Sequence, residues 1–474
     1  MRRVLALAGV VAAASSARRV SRFTADAPVV EPADLGDVDG DAAAERLAQL
    51  VRIPTISRDA AEVDAAAFAR FRERLAELYP RTFAALELEV LGAGALLLRW
   101  RSGSDAPPLV LMAHYDVVPV EGQDWHDDPF SGRIAEGLVH GRGAIDDKGA
   151  LVAVLEAVEQ LVARGFTPAR DVYLSFGDDE EVFGTAAQQA VQALTGRGIR
   201  PWAVVDEGGA VVSGIFPGVA GPIAVVGVAE KGMLDLELAT EDPGGHASTP
   251  TPMGATARLA RAVLRLEEPF PARLDDVVLT MVDTLGRQAH GLPRVLFAHA
   301  PLLRPALAAV LARSSRQGNA LVRTTLAITQ LQGSAASNVL ATRARATANI
   351  RIALGETVQS SVARVRQVVD DPRVALRVLS GSDPSPVSRT DNPPFAQLSR
   401  AIRSVYPDAT VTPYVMIQAS DARHWAQVSD SVYRFMPFDL TAAELATLHA
   451  ADERLPVAAL RRGIGFYRAL IEGL

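Results

Sequence analysis

The chain has 474 residues and a formal net charge of −7 at pH 7, and 49% of its residues are hydrophobic. That length exceeds what one hydrophobic core usually supports, so we expect two domains. Acidic and basic residues are interspersed without a basic patch, which argues against a nucleic-acid partner. The absence of cysteine excludes disulfides, thiolate metal ligands and a cysteine nucleophile, so any metal ion must be bound by histidine and carboxylate side chains.

The first twenty residues have the pattern of an export signal. Two arginines precede an apolar run over residues 4–14, which is followed by small residues and two further arginines. This order is typical of a signal peptide, and the run is shorter than the roughly 20 residues of a membrane-spanning helix. We predict that residues 1–20 are a signal peptide or an N-terminal anchor. The protein is then expected to be secreted, periplasmic or anchored to a membrane and facing outward. An Ala-rich terminus without a targeting role is the alternative.

Residues 36–229 alternate between helical and strand patterns, as expected of a mostly parallel sheet with crossover helices. Apolar runs bounded by turn residues predict strands at 109–112, 172–176 and 203–205, and periodic segments predict helices at 42–50 and 149–163. This part of the chain is expected to be α/β.

A different pattern covers residues 230–385. Its predicted elements are strand 234–239, helix 255–266, a long irregular insertion at 270–322 with an amphipathic helix at 301–312, strands 324–330 and 346–352, helix 358–369 and strand 374–379. These elements predict a small α+β, ferredoxin-like lid. The α/β pattern resumes over 386–474, so the lid is inserted into a discontinuous catalytic domain.

Acidic residues and one histidine follow the predicted strands, at the edge where open α/β sheets bind ligands. The first strand leads into His114 and Asp116, whose spacing lets the carboxylate accept one imidazole N–H while the other ring nitrogen binds a metal. The pair alone is weak evidence, because a satisfied surface pair has the same sequence.

A glycine-rich segment, 141–149, places Asp146 and Asp147 beside Lys148 immediately before a predicted helix. Adjacent carboxylates are costly to bring together unless a cation neutralises them, and the glycines allow a sharp turn. Asp146 is therefore a candidate bridging ligand, with a solvated helix cap as the alternative. Runs of acids also follow the next two strands, at 178–181 and 206–207. Acids at three strand ends and a histidine at one predict a metal centre.

These motifs resemble the M20 metallopeptidase family, and most closely its carboxypeptidase S and N-acyl-amino-acid hydrolase branch. The segments at 114–116, 141–148, 179–181, 205–209, 244–248 and 448–453 occur in family order, and the resemblance covers nearly the whole chain after residue 36. It implies a zinc-peptidase-like catalytic domain with a lid that often forms a homodimer.

The resemblance also implies two divalent metal ions, with Asp146 bridging them and four terminal ligands: His114, Glu181, Asp206 and His449. Asp116 would orient His114, and the peptide bond after Asp146 would be cis. Part of the family has the acid at the position of Glu207, so Asp206 and Glu207 remain alternatives. The mixture of imidazole and carboxylate favours Zn²⁺, with cobalt and manganese as alternatives.

Glu180 is the predicted general base. Adjacent side chains do not easily reach one metal, so one acid of the Glu180–Glu181 pair binds it and the other is free to accept a proton from water. Two metals activate water and stabilise the oxyanion, because bound water has a pKa near 7.

Four further residues are predicted from the resemblance alone. His246 would polarise the scissile carbonyl, Asn338 and Arg351 would contact the substrate, and Arg423 would bind the substrate carboxylate. Three of the four also have a structural explanation: His246 lies in a glycine-rich loop, Arg351 could be a solvated strand residue, and Arg423 could be an ordinary surface residue.

The sequence thus predicts a two-metal hydrolase that cleaves an amide or peptide bond next to a free carboxylate, as a carboxypeptidase or an N-acyl-amino-acid amidohydrolase. The alternatives are an inactive binding protein of the same family and a deacetylase that needs no carboxylate. Leucines and valines in the insertion favour a groove for hydrophobic acyl groups or side chains, with a dimer interface or simple packing as the alternative.

Overall fold

The computed structural model describes residues 17–24, 30–58, 63–214, 219, 221–267 and 270–474. The apolar run at 4–14, on which the predicted signal peptide or anchor depends, lies outside these residues. Within the described ranges, no helix is both long and apolar enough to cross a membrane.

The described strands are β1 Glu87–Leu91, β2 Ala95–Trp100, β3 Leu109–His114, β4 Arg133–Ala135, β5 Leu138–His140, β6 Val172–Gly177, β7 Ala203–Asp206, β8 Val211–Ser213, β9 Pro222–Glu230, β10 Gly232–Glu241, β11 Gly245–His246, β12 Thr325–Gln332, β13 Val339–Leu340, β14 Arg343–Ile352, β15 Ala375–Ser382, β16 Thr410–Met416, β17 Val432–Arg434 and β18 Arg454–Pro456. The described helices are α1 Gly40–Val51, α2 Ala65–Leu78, α3 Pro80–Ala85, α4 Lys148–Ala163, α5 Ala186–Gly196, α6 Ala255–Arg265, α7 Asp276–Gly286, α8 Gly291–Ala298, α9 Arg304–Ser314, α10 Arg316–Val322, α11 Val358–Val369, α12 Pro393–Val405, α13 Ala422–Trp425, α14 Ala442–Leu445 and α15 Val457–Glu472.

The largest sheet has the strand order β1-β2-β6-β3-β7-β17-β9-β16, with β8 paired to β9. Its central strands β6, β3, β7 and β17 run parallel to one another. They are short, apolar and almost fully buried, as expected of strands that helices cover on both faces. The carboxyl ends of these parallel strands therefore lie at one edge of the sheet.

Helices α1, α4 and α15 cover this sheet and share its hydrophobic core. Helix α4 is buried along most of its length because its first three turns are almost entirely apolar. Helix α1 begins where the side chain of Asp39 accepts the backbone N–H of Ala42 at 3.0 Å, a typical N-cap. A small sheet of β18, β5 and β4 brings the C-terminal part of the chain next to the glycine-rich segment.

A second, four-stranded sheet has the order β12-β14-β10-β15 and its own core, formed with α6 and α11. Strand β14 alternates between buried and more exposed positions, so one face packs on the helices. The chain enters this sheet between Glu230 and Gly232 and leaves it after Ser382, where the predicted lid boundaries 230 and 385 fall.

The expectation of an irregular insertion was wrong, because residues 270–322 form four short helices, α7 to α10. Helix α7 contacts β16, and its buried side chains Val278, Met281, Val282 and Leu285 belong to the core of the large sheet. The predicted helix at 301–312 is α9, in which only Leu307 and Ala308 are buried. The insertion therefore packs on the large domain, although it lies within the sequence of the lid.

Candidate metal centre

His114 ends β3 and lies at the carboxyl edge of the large sheet, where it is buried. Its Nε2 atom lies 3.0 Å from Oδ1 of Asp146, and its Nδ1 atom lies 3.2 Å from Oδ1 of Asp116. Asp116 thus faces one ring nitrogen, as predicted, and leaves the other directed at Asp146. This arrangement fixes the ring so that one nitrogen is available as a metal ligand.

Asp146 belongs to two groups of potential ligand atoms. In the first, Nε2 of His114 lies 3.7 Å from Oε1 of Glu207, and Asp146 completes the group. In the second, Nε2 of His449 lies 3.1 Å from Oδ2 of Asp146 and 3.3 Å from Oε2 of Glu181. The two oxygens of Asp146 therefore face different groups, which is the geometry of a bridging carboxylate.

The prediction of Asp206 as a terminal ligand is not supported by the structure, in which Glu207 lies in the group with His114 and Asp146 instead. Asp206 is the last residue of β7, and its Oδ2 atom accepts the backbone N–H of Ala422 at 2.9 Å. Successive side chains of an extended chain point in opposite directions, so the two adjacent acids face different surroundings. Of the alternatives left open by the sequence, the geometry favours Glu207.

The loop that carries Asp146 is held by Glu453, which is not among the site residues predicted from the sequence. Its buried carboxylate accepts backbone N–H groups from Gly143 at 3.1 Å, Ile145 at 2.8 Å and Asp146 at 3.1 Å, and it pairs with Arg142 at 2.7 Å. The peptide bond from Asp146 to Asp147 is cis, as the resemblance implied. Glu453 follows His449 by four positions, so it ties one ligand loop to the other.

Asp116 also positions the acidic turn that contains Glu180 and Glu181. It is fully buried, and its two oxygens accept the backbone N–H groups of Glu180 at 3.3 Å and Glu181 at 3.0 Å. The Glu181 side chain points to His449, whereas the buried Glu180 lines a small cavity with His114, Asp206 and Asp421. The adjacent acids are therefore separated as predicted, one in the ligand group and one beside it.

The electrostatics of this cluster fit bound cations. Burial raises the pKa of Glu180 and Glu207 well above the usual range, and neighbouring negative charges, such as Asp146 beside Glu207, raise it further. Hydrogen bonds to Asp146 and Glu181 raise the pKa of His449 to about 10. Oε1 of Glu181 and Oδ1 of Asp147 are buried without a hydrogen-bond partner among the described residues. Buried acids with unused oxygens are costly unless a cation neutralises them, so the donor set fits divalent metals.

The three predicted substrate-contacting residues of the lid lie outside the cluster around Asp146. His246 is exposed on β11, which pairs with β13, and the carbonyl of Asn338 accepts the N–H of Ala247 at 3.1 Å, so His246 and Asn338 are close together. Nη1 of Arg351 lies 2.6 Å from Sδ of Met233. Over the described ranges, no hydrogen bond or ion pair links these three predicted residues to the acidic cluster.

Arg423 lies beside the acidic turn. Its guanidinium is 5.3 Å from the ring centre of Phe183, which follows Glu180 and Glu181, and Nη1 donates to the carbonyl of Ser420 at 2.9 Å. Arg423 and Met233 line a cavity at the junction of the two sheets. Arg351 does not line this cavity itself but contacts Met233, one of its lining residues.

A cluster of imidazole and carboxylate side chains at the carboxyl edge of a parallel sheet, with a further acid beside it, is the arrangement expected of a metal-dependent hydrolase. The model of Peptidase family M20/M25/M40 matches residues 110–473. The chain therefore belongs to the M20 peptidase family, as its motifs indicated.

Relatives of known name are similar over almost the whole chain. N-fatty-acyl-amino acid synthase/hydrolase PM20D1 of Xenopus tropicalis is 35% identical over 436 residues, which cover 90% of this chain and 85% of the relative. Probable carboxypeptidase S-like 2 of Dictyostelium discoideum is 34% identical over 466 residues, covering 95% and 90%. These names match the predicted branch of the family.

Solved structures confirm the predicted fold class. The M20 family metallo-carboxypeptidase Sso-CP2 from Sulfolobus solfataricus has a TM-score of 0.67 at 15% identity, covering 91% of this chain and 98% of that one. Human carnosine dipeptidase 1 has a TM-score of 0.64 at 16% identity, covering 94% and 100%. The α/β catalytic domain and the smaller α+β domain are thus those of the family.

Proposed function

We propose that this hydrolase binds two divalent ions, Zn²⁺ in the first instance, and cleaves an amide or peptide bond adjacent to a free carboxylate. The observation that carries the proposal is Asp146, whose two oxygens face two separate groups of potential ligands next to the buried acid Glu180. His114 and Glu207 would hold one ion, and Glu181 and His449 the other. Imidazole and carboxylate ligands suit zinc.

Bound at these groups, the ions would supply Lewis-acid stabilisation of the oxyanion and a lowered pKa for the attacking water. Glu180 would accept a proton from the attacking water, since its buried carboxylate lines the same cavity as His114. As the carbon–nitrogen bond breaks, Glu180 returns the proton to the leaving nitrogen. Asp116 keeps the base in place through the backbone of the acidic turn.

The proposed substrates are N-acyl amino acids and small peptides, in keeping with the names of the relatives. Arg423 supplies the charge for the substrate carboxylate, because its side chain lies beside Phe183 at the end of the acidic turn. His246, Asn338 and Arg351 are proposed to contact the substrate from the lid.

The insertion supports hydrophobic substrates. Several apolar side chains of α8, α9 and the turn between them are exposed: Leu292, Val295, Leu296, Leu302 and Val310. Others of the same stretch, Phe297, Leu303, Leu307 and Leu311, pack against the core of the large domain instead. The exposed set is the surface that we propose for a long acyl group.

A panel of N-acyl amino acids, dipeptides and their carboxamides tests the proposal with the zinc-loaded enzyme. We expect catalytic efficiency to rise with acyl length, by up to about 0.8 kcal/mol of binding for each buried methylene. Amidation of the carboxylate should abolish most of the activity. A flat response to acyl length would contradict the apolar surface, and unimpaired cleavage of carboxamides would contradict the role of Arg423. Preference for dipeptides would identify a peptidase rather than an acylase.

We further propose export, on the charge and apolar pattern of residues 1–20, and a homodimer formed through the lid. The edge strands β12 and β15 expose Leu331, Val378 and Leu379, and edge strands present unpaired backbone groups to a partner. N-terminal sequencing of the exported protein tests the first proposal, and full-length protein with residues 1–20 intact in the cytosol would contradict it. Light scattering after size-exclusion chromatography tests the second, which predicts twice the mass of the chain.

A further inference from the structure

The loop that carries Arg423 is anchored by a buried acid that the proposed chemistry does not use. Glu230, the last residue of β9, is 2% exposed, and its partner Arg434 is completely buried. Both Nε and Nη2 of Arg434 lie 2.6 Å from Oε1 of Glu230. A buried ion pair is stable only when hydrogen bonds satisfy its remaining lone pairs.

The remaining hydrogen bonds of Glu230 go to Ser420. Oε2 of Glu230 accepts the backbone N–H of Ser420 at 3.0 Å, and Oε1 accepts the Ser420 hydroxyl at 3.1 Å. The carbonyl of Ser420 in turn accepts Nη1 of Arg423 at 2.9 Å. A continuous chain of polar contacts therefore runs from Arg434 through Glu230 and Ser420 to the guanidinium of Arg423.

Glu230 is also fixed where the chain passes between the two sheets. Its backbone N–H donates to Oγ of Ser385 at 2.9 Å, and its carbonyl accepts the N–H of Ser385 at 3.1 Å. Ser385 lies on the segment that returns from the lid. The anchor of the Arg423 loop is thus joined to both connections between the lid and the catalytic domain.

We propose that Glu230 is a positioning residue for recognition of the substrate carboxylate, acting through Ser420 on Arg423. This inference rests on the proposed function of Arg423. The contacts predict a specific defect: loosening the anchor weakens binding of substrates that carry a free carboxylate and leaves the hydrolytic centre intact.

The variant Glu230→Asp tests this in the zinc-loaded enzyme, because it keeps a negative charge beside Arg434 but shortens the reach towards Ser420. We expect KM for an N-acyl amino acid to rise about ten-fold, the loss of one hydrogen bond to a charged group, with kcat unchanged. Residual cleavage of the matching carboxamide should not change. Ser420→Ala, which removes only the hydroxyl contact and keeps the ion pair, should raise KM in the same direction by about three-fold.

Glu156→Asp is the matched control. Glu156, in α4, is also a buried glutamate paired with an arginine, Arg46 of α1. This variant should lower the melting temperature without changing the preference for carboxylate over carboxamide. Unchanged KM in Ser420→Ala, or equal losses on both substrates in Glu230→Asp, would overturn the inference. If Arg423→Ala keeps the wild-type preference for carboxylates, the proposed function of Arg423 fails as well, which distinguishes the two.

Discussion

Asp206 and Glu207 are adjacent in the sequence, but their carboxylates have different partners. Oε1 of Glu207 lies 3.7 Å from Nε2 of His114, whereas Oδ2 of Asp206 accepts the backbone N–H of Ala422 at 2.9 Å. One acid therefore faces the ligand cluster, and the other holds the loop that leads to Arg423. Glu207 thus belongs to the candidate metal centre, and Asp206 supports the loop of the proposed carboxylate site.

This division predicts opposite results for two isosteric variants. Glu207→Gln should lower the metal content of the zinc-loaded protein from two ions to about one per chain, because an amide is a much weaker ligand than a carboxylate. Asp206→Asn should retain both ions, because its amide oxygen can still accept the N–H of Ala422. Elemental analysis after dialysis measures both, and loss of metal in Asp206→Asn alone would restore Asp206 as the ligand.

The parts of the site that follow strand ends were predictable from the sequence. His114 and the acidic turn come directly after apolar runs, and sheet topology places such residues together. The choice between Asp206 and Glu207 was not predictable, because it depends on which side of one strand end faces the cluster. The anchoring role of Glu453 depends on contacts with residues about 310 positions away in the sequence, which no local pattern indicates.

The packing of the insertion at 270–322 was likewise not predictable from local sequence patterns. Its helices are short, and α9 has only two buried residues, so the amphipathic pattern expected of a lid helix is weak. The sequence therefore predicted an irregular lid segment, whereas α7 packs on β16 of the large sheet. The four strands and two helices of the lid, which have clear periodicity, lie close to their predicted positions.

Glu180→Gln should keep both metals and lose activity. The amide cannot accept a proton from water, so we expect kcat to fall by about 10³-fold, the contribution of a typical general base. Metal analysis alongside steady-state kinetics separates this effect from a loss of ligands. The control is Glu45→Gln, which changes an exposed glutamate of α1 in the same way. Wild-type turnover in Glu180→Gln would remove the proposed base.

The titration of Lys231, one of only two lysines in the sequence, should make the stability of the protein depend on pH. Burial, with the nearby charge of Arg351, lowers its pKa from 10.5 to about 8. Between these values the unfolded chain binds more protons than the folded chain, so this residue makes stability rise with pH. Relative to Lys231→Met, wild type should therefore gain about 2 kcal/mol between pH 7 and pH 10.

Urea denaturation of both proteins at the two pH values measures this difference. Nζ of Lys231 donates to the carbonyls of Ala320 at 2.8 Å and Arg323 at 2.6 Å, and the cost of losing these hydrogen bonds does not depend on pH. This cost therefore cancels when the difference in unfolding free energy between wild type and Lys231→Met at pH 7 is subtracted from that at pH 10. A difference in stability that stays constant, or that falls as the pH rises, would contradict a lowered pKa for Lys231.

The proposed two-metal centre depends most on Asp146, whose oxygens lie 3.0 Å from Nε2 of His114 and 3.1 Å from Nε2 of His449. The direct test is the zinc content of wild type and Asp146→Asn after saturation with metal and removal of the excess. We predict two ions per chain in wild type and a loss from both sites in the variant, because one carboxylate serves both groups. A single ion in wild type, or two ions retained in Asp146→Asn, would contradict the two-metal centre bridged by this residue.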